Sequence, residues 1–394
     1  MNQPRAIITL APLAVFAFSL TSLPAQDQLV LLDGSVVRGT VSSFDGECNV
    51  KGEGIAEGVI VDGLRRITTP TEVQESGSPI TAQMLGGGKL ALSAFTIDGE
   101  QNCHLHSDVL GEVVLPIDAL RAVRLNSDPA EESFTAATAE KNDEDQVFVR
   151  LGGGLEPISG LIEKIDNFAV EIDNGSGVRK IGRDTIYGIV FAMVGRAPDH
   201  SGKVLVTLAD GSTMWGQVDS LADGKFSIST VGNSKVTLPW AKVSGLKVRS
   251  TRMVFLSDLS PVEARHQPLV TLKRDWQADK SVAGRPLTLA GKSYEKGIGV
   301  ASRSVLVFEN EGNFDLFAAT IGIDSETEGR GDCVFVVEVD GREKYRQRVT
   351  GRDPARPVAV EIDGGRRVSL IVETGEDLDL SDHANWCDAR LVKE

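Results

Sequence analysis

Residues 29–50 read LVLLDGSVVRGTVSSFDGECNV: an alternating apolar strand, an Asp-Gly turn, a second strand carrying an internal glycine, a further turn and a third strand. Asp-Gly between alternating strands selects a tight hairpin with positive φ at the glycine. A glycine inside the strand that follows signals a bulge or sharp bend, which lets a short sheet curl. Three later stretches keep this rhythm: TAQMLGGGKLALSAFTIDGEQNCHL at 81–105, VFVRLGGGLEPISGLIEKIDNFAVEI at 147–172 and VLVTLADGSTMWGQVDSLADGKFSI at 204–228. The DGSxxxG spacing of Asp33 to Gly39 recurs in Asp210 to Gly216. Most units close with a strand, a Pro or Asp turn and a short apolar tail: EVVLPIDALRAVRL, VRKIGRDTIYGIVFA and KVTLPWAKVSGLKV.

The expected fold is therefore all-β, with about four small barrel-like units. Their layout weakly resembles SH3-like or Sm-like barrels. Units this small bury little core, so they are expected to pack in pairs. No helix longer than a couple of turns is expected between Leu29 and Val248. The acidic, Ala/Thr-rich stretch 126–146, NSDPAEESFTAATAEKNDEDQ, reads as a mobile linker open to proteases. It separates units 1 and 2, at 27–125, from units 3 and 4, at 147–249.

Residues 1–25 combine Arg5, an apolar run and small turn residues, as a secretory signal peptide does. The expected location is secreted, periplasmic or cell-surface, with no transmembrane anchor in the mature chain. The net charge of −15 argues against nucleic acid and anionic lipid as partners. Of the four cysteines, Cys48 and Cys103 lie in one region and Cys333 and Cys387 in another. Disulfides within each region are expected for an exported chain, with free buried thiols as the alternative.

From about residue 253 the landmarks VFLSDLSPVEA, RDWQADKSV, GRPLTLAGKSYEKGIGV, FDLFAATIGID, GRGDCVFVVEVDG and SDHANWCDARL follow in the order seen in the NPCBM family of carbohydrate-binding modules. The segment 253–394 resembles that family. The resemblance implies a jelly-roll β-sandwich related to galactose-binding modules. The residues alone give the same architecture, because LVFE, FAATIGI, CVFVVEV, PVAVEI, VSLIVE and ARLV are short β-branched runs between turns.

A sugar needs an apolar platform and fixed hydrogen-bonding groups. Trp386 is the candidate platform; Asp382, His383, Asn385, Arg330 and Glu295 are the candidate polar contacts, in three loops expected to converge. The competing reading buries Trp386 as a packing residue. The change from ligand loop to core strand is expected between Trp386 and Asp388, with Ala389 and Leu391 turned inward and Asp388 turned outward or paired with arginine. Where the family often reads GIGVH, this chain has Ala301, which weakens the sugar-site reading.

The carboxylates Glu376, Asp377, Asp379 and Asp382 leave calcium open, and Cys103-His104-Leu105-His106 leaves a metal open; no cofactor is required. No GxSxG, HExxH, P-loop or dinucleotide motif is present, and the repeats lack the strand–helix alternation of a barrel enzyme. The expectation is a non-catalytic exported protein whose last domain binds glycan or an envelope component while the repeats act as spacer. The alternatives are a structural envelope component without sugar binding and a glycan hydrolase.

Overall fold

The computed structural model describes residues 26–126, 131–193, 198–230, 234–311 and 314–393. The expected signal peptide lies outside the described residues. The chain is all-β, with four barrel-like units followed by a two-sheet sandwich. Among the described residues no helix is long and apolar enough to cross a membrane.

Units 1, 3 and 4 each send a first strand into a longer second strand that serves two sheets. In unit 1, Val36–Phe44 pairs with Asp27–Leu31 up to Gly39 and with Val50–Glu53 from Thr40 onward. Gly160 and Gly216 divide the second strands of units 3 and 4 in the same way. A Cβ on Gly39 would lie 2.4 Å from the Glu53 carbonyl oxygen, and one on Gly160 would lie 2.3 Å from that of Asp173. The internal glycine is thus where the third strand crosses too closely for a side chain. Unit 2 has Leu92 at this place and interrupts the strand at Ser93 instead. Each unit then takes a 3-10 turn into its last strand, at Val61–Gly63, Ile117–Ala119, Arg183–Thr185 and Trp240–Lys242.

The units pair through their last strands, and the partners are nested along the chain. Unit 2 joins unit 3 by Val123 opposite Ile189, and unit 1 joins unit 4 by Ile67 opposite Leu246. These four residues hold equivalent places in their own barrels, facing Ala82, Val147, Leu29 and Val206 of the first strands. Each pair is consequently self-complementary, as in a two-fold dimer. Gly188 and Gly245 make the approach possible, since a Cβ there would stand 2.8 Å from the Val123 carbonyl and 2.9 Å from that of Ile67.

The stretch expected to be a mobile linker is docked over much of its length. Residues 127–130 lie outside the described residues, but Glu132–Ala139 forms a helix whose Phe134 is buried. Its ring meets Phe148 and Tyr187 edge-to-face, with centroids 5.3 and 5.2 Å apart. The buried Arg121 guanidinium donates to the carbonyls of Ala137, Thr138 and Glu140, where the helix ends and carbonyls lack partners. Composition suggested solvation; one phenylalanine and one distant arginine reverse it.

The sandwich stacks two antiparallel sheets. One has the order Gln277–Ala278, Gly297–Ala301, His383–Val392, Leu316–Ile323, Arg356–Glu361; the other runs Glu263–His266, Ser304–Glu309, Arg367–Thr374, Asp332–Val339, Arg342–Thr350. A hairpin, Leu287–Leu289 with Lys292–Tyr294, covers the outer face of the first sheet against Cys387.

The sandwich sits on unit 1. In the closing strand, Ala318 faces Arg390 and Thr320 faces Cys387, so Asp388 and Ala389 together oppose Ala319. Asp388 has φ +52°, the left-handed conformation of a bulge. As expected, Asp388 meets an arginine, here Arg65 of unit 1 at 2.9 Å, and Ala389 and Leu391 enter the core. Arg390 donates through Nε to the Leu32 carbonyl at 2.6 Å, and Leu32 packs with Leu316, Val392 and Met253.

Replacing Phe134 by alanine should cost about 3–5 kcal/mol. The measurement is chemical denaturation, together with limited proteolysis, which should cut within 132–139 sooner in the variant than in the parent.

Candidate functional site

The closing strand begins at His383, three residues before the expected change from loop to strand, because Ala301 to Gly297 pair with His383 to Cys387 without interruption. Alternation then sends Ala384 and Trp386 inward. Trp386 is fully buried and meets Phe335 and Phe317 edge-to-face at 5.0 and 6.1 Å. It therefore has no face to offer a sugar, and the packing reading is the correct one.

His383, Asn385 and Cys387 point to the opposite face. The buried Asn385 amide donates to Asp324 Oδ2 at 2.5 Å, and the same oxygen accepts the Thr288 N–H at 3.0 Å. Asp324 Oδ1 accepts from Glu326 N and caps the turn Ser325–Thr327. Asn385 is thus occupied in fastening the covering hairpin and the 324–330 loop. His383 Nδ1 lies 2.7 Å from Glu326 Oε1, and Arg285 is 3.8 Å from the other oxygen. Arg330 donates to the Thr327 carbonyl at 3.0 Å.

Asp382 is buried and accepts the Asp332 N–H at 2.9 Å. Burial raises its carboxyl to about 6, partly offset by the hydrogen bond from the Asp332 N–H. Asp382, His383, Asn385 and Arg330 therefore gather at one end of the sandwich, mostly committed to the fold. Glu295 does not join them. Gly297 stands opposite Cys387 while Ala301 stands opposite His383, which places Glu295 roughly 13 Å or more along the strand direction. There it pairs with Lys247 of unit 4 at 2.5 Å.

All four cysteines are free thiols, so neither expected bridge is formed. Cys333 lies in the core between the sheets, whereas Cys387 faces outward beneath Leu287, Leu289 and Tyr294. The two belong to different sheets, with the first sheet between their thiols, so they cannot be joined without moving backbone. Cys48 contacts the Val218 carbonyl, while Cys103 lies within the strand Asn102–Ser107 and burial pushes its thiol up to about 12.

The acidic loop also disperses. Glu376 pairs with Arg348, whereas Asp379 accepts the N–H groups of Leu269, Val270 and Thr271. His104 lies 3.2 Å from Asp98 and 3.7 Å from Glu112. Among the described residues no group of three or more His, Cys, Asp or Glu side chains is arranged to hold a metal ion, so the calcium reading has no such cluster behind it.

With the two sheets, their order and the closing strand in place, comparison with known families gives one match, the NPCBM/NEW2 domain over residues 252–392. Residues 252–392 are an NPCBM domain. A curated protein of Renibacterium salmoninarum named "Putative endo-alpha-N-acetylgalactosaminidase" is 27% identical over 195 residues, covering 46% of this chain. The chain spans 13% of the length of that relative. The CBM51 of Clostridium perfringens GH95, in complex with methyl-galactose, is 31% identical, covers 36% of this chain and 99% of its own, with a TM-score of 0.33. CBM51-2 with the INT domains of Clostridium perfringens ZmpB, in complex with GlcNAc, is 22% identical over 43% of this chain and 36% of its own, with a TM-score of 0.34. The tandem CBM51 modules of Sp3GH98 from Streptococcus pneumoniae are 15% identical, over 93% of this chain and 88% of their own, with a TM-score of 0.32.

Trp386→Ala should open a cavity in the NPCBM core and cost about 3–5 kcal/mol, read from the sandwich's melting transition. Asp382 titrates in the opposite sense to a salt-bridged acid. Its folded value, about 6, lies above the ordinary 3.8, so its contribution to stability is fullest below pH 4 and is lost as pH rises through 6. Asp382→Asn should flatten that decline, by up to about 3 kcal/mol, in denaturation curves taken from pH 4 to 8.

Proposed function

We propose that this is an exported, non-catalytic glycan-binding protein in which the NPCBM sandwich contacts carbohydrate and the paired barrels hold it in place. The observation that carries this reading is the family match over residues 252–392, the segment in which all six sequence landmarks fall. The net charge of −15 supports an uncharged or locally recognised ligand over a polyanion. The sandwich's seat on unit 1, through Arg390 and Asp388, supports a presenting role for the barrels rather than that of a flexible tether. Residues 1–25 support export.

A second reading, a structural component that keeps the fold without binding sugar, draws on two observations. Ala301 stands opposite His383, where the family often has histidine, and Trp386 is buried. A glycan array probed with the full chain separates the two. Binding that survives washing and is competed by the free sugar supports the first; a blank array across neutral and acidic glycans supports the second. Incubating the bound glycans with the chain tests the hydrolase alternative, and no release of reducing ends is expected.

A further inference from the structure

The outer face of the second sheet carries an open groove of about 390 Å³, lined by Gln267, Arg303, Val305, Ile371, Glu373 and Thr374, with Ser304 and Val372 between them. Val305 and Ile371 are direct cross-strand partners. They face away from the core, into which Leu306 and Leu370 point, and form an apolar floor. The volume is within the usual range of small-molecule sites, about 300–1,000 Å³.

The charges around this floor are unequal in their commitments. Arg265 is paired with Glu263, Arg346 with Glu343 and Glu373, and Arg348 with Asp332 and Glu376. Arg303 differs: among the described residues its guanidinium has neither an ion-pair nor a hydrogen-bond partner. Its backbone is left-handed, with φ +60°, and is held by the Gln267 N–H donating to its carbonyl. Arg303 sits in the two-residue turn that joins Gly297–Ala301 to Ser304–Glu309, which accounts for its left-handed backbone, and its guanidinium stands on the wall of the groove that Glu373 also lines. One bank of the groove is also built rigidly. The Asp379 carboxylate gathers the N–H groups of Leu269, Val270 and Thr271, fixing the loop that follows Gln267.

We infer that this groove binds an acidic sugar, its carboxylate on Arg303 and its C–H face on Val305 and Ile371. The assignment rests on the glycan-binding reading above and adds the site and the class of sugar. A guanidinium matches a carboxylate in a fork geometry that a neutral hydroxyl cannot reproduce. Gln267 and Thr374 supply amide and hydroxyl groups for the remaining ring oxygens. Glu373, although held by Arg346, faces the same groove and repels an anion, so its removal should act in the opposite direction to removal of Arg303.

The test is calorimetric titration of the full chain with sialyllactose, tri-galacturonate and lactose. At least one acidic oligosaccharide should bind while lactose does not. Arg303→Gln should weaken that binding about tenfold or more with an unchanged melting temperature, and Glu373→Gln should strengthen it. Binding of lactose or another neutral glycan that Arg303→Gln leaves untouched would overturn the groove assignment and keep the glycan-binding reading. A chain that binds no glycan on the array would overturn both.

Discussion

The left-handed residue Asp388 sets what the end of the chain does. Upstream of it Ala384 and Trp386 face the core, and downstream Ala389 and Leu391 do. Strict alternation cannot place residues 386 and 389 on one face, because a shift of one residue turns every following side chain over. The bulge absorbs the mismatch. It sends Asp388 to Arg65 and Arg390 to the Leu32 carbonyl, on the side where unit 1 lies. One local backbone choice closes the sandwich core and seats the sandwich on the barrels. Burial lowers the Arg390 guanidinium to about 10, with nearby Arg65 acting in the same direction, so its carbonyl partners offset a real desolvation cost.

This changes where a ligand can be recognised. The polar run at 382–387 looks like a sugar site because it concentrates aromatic, amide, imidazole and carboxylate groups. In the fold those groups are spent: Trp386 on the core, Asn385 on Asp324, Asp382 on the Asp332 N–H, His383 on Glu326. On the other sheet, Arg303 stands beside Val305 and Ile371 without such a commitment among the described residues.

Much of the fold could be read from local patterns. The DGSxxxG spacing gave the hairpin and the bend of units 1 and 4, since glycine at 39 and 216 answers a steric demand from a crossing strand, as Gly160 does in unit 3 without that motif. The ordered landmarks gave the sandwich. Three things could not be read locally. The nesting of unit 1 with unit 4 depends on strands some 180 residues apart, Ile67 and Leu246. The docking of residues 132–139 depends on Arg121, which precedes them in another strand. The fate of Trp386 depended on register, although the spacing from Trp386 to Ala389 already implied a bulge if both were core residues. The groove had no motif at all, because Arg303 and Glu373 come together only through strand pairing.

The bulged closing strand, together with the hydrogen bonds of Ser250 and Thr251 to Asp62, fixes the sandwich to unit 1. The direct measurement is the melting transition of the sandwich in the full chain carrying Arg65→Ala, a change outside the sandwich that leaves Asp388 without its cation. The account predicts that this transition falls by a few degrees, as expected for a loss on the order of 1 kcal/mol in a domain of this size. A sandwich transition that stays in place while only the barrel transition moves would contradict it.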